Sequence, residues 1–211
     1  MKEAMIASAL IALPALGCGA SATSNPSPEP SATATSQTAA STTEAPVAQF
    51  NFDASEYTNA PQRLLAVAEL DAPIDEVWAY ISDHDNLVEY TNGILQSADI
   101  DRSGAEEHNG VGTERECAAG EDRFVERIVY FRAPRAFAYS AFENTWGLQD
   151  HLATVVLTPI GEGRTRLEWG QHFNMQNPQA EAMMTQNLTG MMNGRVLPFF
   201  TERFGGRVIS G

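Results

Sequence analysis

D-A-P-I-D-E-V-W-A-Y-I-S-D, residues 71–83, lies between an apolar stretch and a long series of alternating ones. Pro73 brings the preset φ of a first helical position, while Asp75 and Glu76 place negative charge in the first turn, where it complements the helix dipole. Ile74, Val77, Trp78 and Ile81 recur at i, i+3, i+4 and i+7, so one apolar stripe faces a core and Asp75, Glu76 and Ala79 face away. A short helix of this kind, set directly after a strand, points to a fold built around a cavity.

Outward from it, R-L-L-A-V-A-E-L at 63–70 reads as a buried strand. On the other side Asp83 caps a second short helix, H-D-N-L-V-E-Y, which Gly93 stops. Six extended segments follow at 94–100, 111–118, 122–131, 135–142, 151–157 and 164–173, divided by turn signals such as Asn109-Gly110, Gly120 and Ala133-Pro134. Residues 178–206 then read as one helix, with Met184, Leu188, Met192, Val196, Phe200 and Phe204 every four residues on one face. Gly190, Asn193 and Gly194 weaken its middle, and Pro198 removes an N–H and crowds the Gly194 carbonyl, so a kink is predicted there. Met183, Met184, Met191 and Met192 are flexible, polarizable side chains suited to an adaptable wall.

Residues 50–211 alone carry the aromatic and aliphatic content of a folded domain. The first 17 residues are an apolar run after a single charged pair, Lys2 and Glu3; the run is too short to span a bilayer and contains Pro14, which suits a signal peptide. Residues 19–49 contain no aromatic side chain and are dominated by Ser, Thr, Ala and Pro, a composition that cannot bury enough surface to order itself and reads as a tether. The net charge is −14, with 27 acidic and 13 basic residues and Lys2 the sole lysine, which argues against nucleic acid as a partner. Cys18 and Cys117 are the only cysteines, so no disulfide framework exists. Cys117 follows E-R-E in a strand, where carboxylates raise a thiol pKa, and it reads as structural.

Two resemblances carry the functional reading. A-L-G-C, residues 15–18, resembles the bacterial lipoprotein signal, with Ala15 where leucine is usual; it implies lipidation of Cys18, and Gly19 after it implies outer-membrane sorting in a Gram-negative cell. The domain from Arg63 to Gly206 resembles the START and polyketide-cyclase superfamily, SRPBCC. The residues that carry this are 72–83 with N-L-V-E-Y, V-G-T-E-R at 111–115, V-E-R-I at 125–128 leading to Pro134 and Tyr139, and L-T-P-I-G-E-G-R-T-R-L-E-W at 157–169. The resemblance implies an α+β helix-grip fold, in which a curved antiparallel sheet wraps a long C-terminal helix and encloses a largely apolar cavity. It also implies that the carboxylate of the E-R pair, Glu126, points inward.

Alternation in the last two strands sets Leu157 opposite Leu167 and Val155 opposite Trp169, which places His151 opposite Phe173 and turns His172 outward. His84 and His108 fall in polar turns; no metal site and no cofactor is read from these residues. Glu126 alternates with Phe124, Ile128 and Tyr130. On an apolar wall its proton affinity rises and it serves as general acid or base or orients a ligand; the alternative is an ion pair with a neighbouring arginine. Tyr139, Trp146, His151, Val155, Trp169 and Gln171 complete the candidate lining from the sheet, with Met184, Leu188 and Met191 from the helix. Three functions are compatible: an exported, membrane-tethered protein binding a hydrophobic small molecule; a cyclase or dehydratase using Glu126 with His151 or Tyr139; and an interaction module whose cavity is closed.

Overall fold

β1, Gln62–Leu70, turns Leu64, Ala66, Ala68 and Leu70 into the core and leaves Leu65 exposed on its other face. The computed structural model describes residues 50–210; Cys18 and the segments expected to be a signal peptide and a tether lie outside the described residues. After β1 the chain enters α1, Ile74–Ile81, whose Val77, Trp78, Tyr80 and Ile81 are buried and whose Asp75, Glu76 and Ala79 are exposed. Pro73 is the N-cap rather than the first helical residue. Its ψ of 151° keeps it extended, and its carbonyl accepts the N–H groups of Glu76 and Val77. Asp83 caps a 3-10 turn, His84–Asn86, that runs into α2, Leu87–Tyr90.

The remaining strands are β2, Ser97–Asp101; β3, Glu114–Ala119; β4, Asp122–Arg132; β5, Ala136–Asn144; β6, Gln149–Pro159; β7, Thr165–Asn174; and β8, Arg207–Ser210. They form one antiparallel sheet in the order β2-β3-β4-β5-β6-β7-β1-β8. Across its inner face runs the C-terminal helix: α3, Pro178–Met191, a π-turn, Met192–Val196, and α4, Leu197–Phe204. This is the α+β helix-grip architecture expected. Among the described residues no helix is long and apolar enough to cross a membrane.

The π-turn sits where a kink was predicted. Pro198 has no N–H to return to Gly194, and the Leu197 N–H reaches back five residues to the Met192 carbonyl. The wider turn also matters for phase, because a repeat of four drifts about 40° per step around an α-helix. Leu188, Met192, Val196, Phe200 and Phe204 all remain buried. Gly205 and Gly206, at φ +74° and +104°, then reverse the chain; a Cβ on Gly206 would stand 2.0 Å from the Glu69 carbonyl oxygen. β8, which the sequence reading lacked, is the result, an edge strand laid along β1.

Two irregularities correct the strand reading. Between Ile128 and Tyr130 the β4–β5 register slips, so Tyr130 turns outward to meet Phe52 at 4.9 Å, and Phe131 turns inward to meet Trp78 at 5.1 Å. Leu157↔Leu167 and Val155↔Trp169 pair as expected, but the ladder slips between Gln149 and Leu152, where Asp150 has φ +50°. His151 is therefore not paired with Phe173, and its ring turns toward β5.

Candidate functional site

Small residues open the floor. Ala141 on β5 and Ala153 on β6 lie on the inner face, between strands that carry Glu126, Tyr139, His151 and Gln171. Above them Leu188, Met191, Met192 and Val196 of the helix, with Ile94 and Leu95 of the loop after α2, close a cavity of about 110 Å³. Of the candidates, Phe124, Glu126, Tyr139, Trp146, His151, Trp169, Gln171, Leu188 and Met191 line it. Three do not. Ile128 and Val155 are fully buried toward the α1 end, which Trp78, Phe131 and Phe137 fill; Met184 packs on the core a turn too early to reach the cavity.

The polar floor is organised by two ion and hydrogen-bond systems. In the first, Arg115 of β3 lies directly across from Glu126 of β4, and its guanidinium reaches the Glu126 carboxylate at 2.6 Å. Arg115 is 1 % exposed, against 16 % for the Glu126 side chain, and its guanidinium carbon stands 4.1 Å from the centre of the Tyr139 ring. Burial works against that charge, but the Glu126 carboxylate and the surrounding oxygens hold the guanidinium firmly protonated. Glu126 thus lines the cavity and is ion-paired with Arg115 from behind.

In the second system the His151 Nδ1 accepts the Ala141 backbone N–H at 2.9 Å, so the proton sits on Nε2, which donates to Gln171 Oε1 at 3.0 Å. Burial lowers the His151 pKa and favours this neutral form. Both ring nitrogens are engaged, which leaves His151 no lone pair for a substrate proton. Burial, then the Glu126 charge, raises the Tyr139 hydroxyl, which stays protonated. Cys117 is pushed up to about 12 by burial and then by Glu126, and is inert.

The chain matches over residues 61–196 the family model described as polyketide cyclase / dehydrase and lipid transport. It belongs to that family. No curated protein matches the sequence. Among solved structures, one from Thermobifida fusca is similar at 19% identity and a TM-score of 0.58, covering 67% of this chain and 92% of its own. The XoxI protein from Bacillus cereus is similar at 19% and 0.55, covering 67% and 94%. Truncated norcoclaurine synthase from Thalictrum flavum is similar at 13% and 0.55, covering 69% and 94%. These likenesses show the fold, and with the family they confirm the SRPBCC resemblance. Membership of this polyketide cyclase and lipid transport family supports a ligand-binding or cyclase role.

Arg115 was missed as a site residue in the sequence, as were Ala141, Leu148 and Val196 of the lining, whereas Met192 is part of the adaptable wall expected. His84 also departs from its reading as a turn residue. It is fully buried against Phe137, donating Nε2–H to the Asn109 carbonyl at 3.0 Å, and burial followed by the nearby Arg115 charge lowers its pKa to about 2. Burial also lowers His172, whose Nδ1 meets the Ala60 carbonyl oxygen at 3.3 Å. Unfolded histidine titrates near 6.5, so below that pH the unfolded chain binds protons that these folded-state imidazoles refuse. For His84 this stabilisation is complete above about pH 6.5 and is lost as the medium acidifies toward about pH 2, by up to about 1.4 kcal/mol per pH unit, and His172 acts in the same direction. Urea unfolding between pH 7.5 and 5 measures this, and a flat profile would contradict neutral burial.

Proposed function

We propose that this protein is exported, held at a membrane by a lipid on Cys18, and binds a hydrophobic small molecule in the cavity beneath its C-terminal helix. The observation that carries this reading is a small set of polar groups, Glu126, Tyr139, His151 and Gln171, set into otherwise apolar walls, the usual make-up of a small-molecule site. Proton transfer is poorly served: His151 has both nitrogens occupied, and one Glu126 oxygen is held by Arg115. This favours binding over the cyclase alternative.

The cavity of about 110 Å³ is below the floor of about 300 Å³ for drug-sized sites, so a guest must widen it. The entry route we propose is the seam between the loop after α2 and the π-turn. There Asn92 and Arg195 exchange two hydrogen bonds, Arg195 Nη1 to the Asn92 carbonyl at 3.1 Å and Asn92 Nδ2 to the Arg195 carbonyl at 3.4 Å. Both strands of the seam contribute lining side chains, Ile94 and Leu95 on one side, Met191 and Val196 on the other. Breaking two exposed bonds and moving methionines costs little compared with parting strands.

Native mass spectrometry of the full-length protein purified from its host should show a co-purifying lipid-sized mass. Protein that is uniformly empty would favour the third reading, an interaction module with a closed cavity, which the small volume also supports. Separately, Cys18→Ser should move the protein out of the membrane fraction, and an unaltered distribution would reject lipidation.

A further inference from the structure

The ligand-binding reading leaves one donor on the cavity wall unexplained. Trp169 is 4 % exposed, and its indole Nε1–H has no hydrogen-bond partner. Its polar neighbour is the Tyr139 hydroxyl, which it and the Gln171 amide both approach closely enough to polarise, yet Nε1–H makes no well-formed hydrogen bond there. A buried N–H left unmade costs free energy, and such groups in native proteins usually have a purpose. Gln171 repeats the polarity: its Oε1 is used by His151, so its NH2 group is the end that lies by the Tyr139 hydroxyl on the cavity side. The β7 wall therefore presents donors.

Resting on the binding reading, we infer that the guest is an uncharged molecule whose carbonyl or hydroxyl oxygen seats on Trp169 Nε1 and the Gln171 amide. Charge is selected against from both sides. An anionic headgroup would lose its hydration on burial and find no free counter-charge, because the Arg115 guanidinium is spent on Glu126 at 2.6 Å. An ammonium group gains nothing for the same reason, since Glu126 is already neutralised, and it would lose its hydration on burial. A neutral oxygen loses little hydration and answers the orphan donor. The free Glu126 oxygen can in addition accept from a hydroxyl.

The test uses the full-length protein and calorimetric titration with four probes of one skeleton: 1-naphthol, 1-naphthoate, 1-naphthylmethylammonium and naphthalene. Naphthol should bind at least about tenfold more tightly than either charged probe, the charged groups losing hydration without a partner. Trp169→Phe keeps an aromatic ring on β7 and deletes the donor; it should weaken naphthol about fivefold and leave naphthalene within twofold, as expected for one hydrogen bond. Naphthoate or the ammonium probe binding as tightly as naphthol would overturn the inference, as would Trp169→Phe affecting naphthol and naphthalene alike, and either result leaves the binding reading standing. If none of the four binds, the inference falls, and the co-purifying mass decides the binding reading separately.

Discussion

Glu126→Ala should be the most damaging single substitution in the sheet, lowering unfolding free energy by about 3 to 5 kcal/mol, because it strands a guanidinium that cannot reach water. Arg115 is 1 % exposed; its Nε and Nη1 have no partner, and without Glu126 its charge would rest on the Tyr139 ring face alone. The converse change is gentler. Arg115→Met keeps the aliphatic stem, and Glu126, 16 % exposed on the cavity side, can recover hydration from there. The double variant Arg115→Met/Glu126→Leu should regain most of the loss, since a buried ion pair replaced by apolar groups of similar volume is often neutral. Urea denaturation of the three variants tests the order. Equal costs for the two single changes would show that Glu126 is as thoroughly enclosed as Arg115, and the cavity-facing role given to it would then be wrong.

That pair was written in the sequence more plainly than the reading recognised. A two-residue turn at Gly120-Glu121 joins β3 to β4 and pairs Ala119 with Asp122, so counting back places Arg115 opposite Glu126 and Cys117 opposite Phe124. With Cys117 and Phe124 both apolar, the same face carries the charged pair into the core. The fold itself was legible because its signals are local and redundant: the α1 stripe, the β6–β7 alternation and the repeat on the terminal helix each decide one element. The misplaced residues fall where one extra residue changes parity. The irregularity at Ile128–Tyr130 exchanges Tyr130 for Phe131, and the one before Leu152 turns His151 to a backbone N–H rather than to Phe173. No pattern of period two contains a bulge. His84 was unreadable for another reason, since a short polar segment, H-D-N, gives no sign that its first residue is driven inward under Phe137.

Ala141→Phe should abolish binding while leaving the fold in place. Ala141 is the small residue over which Glu126, Tyr139 and His151 face one another, and a benzyl group there occupies a large part of a space of only about 110 Å³. The backbone N–H that His151 accepts is retained, so the polar floor keeps its hydrogen bonds. Overfilling a core costs about 1 to 3 kcal/mol, an outcome a denaturation curve registers, but here the substituent enters a void and burial of the new ring offsets part of that cost. For a guest the void is the binding site, and the expected loss is at least about a hundredfold in affinity, or about 2.7 kcal/mol. The co-purifying mass should vanish with it. An interaction module with a closed cavity predicts the opposite: a partner on the outer surface takes no notice of position 141, and Ala141→Phe would then be better packed and equally active. Retention of the co-purified molecule by a well-folded Ala141→Phe protein would place that molecule outside the helix-grip interior. The substitution therefore separates the two readings that the small cavity leaves in competition, and it does so without touching the Asn92–Arg195 bonds through which the cavity is proposed to open.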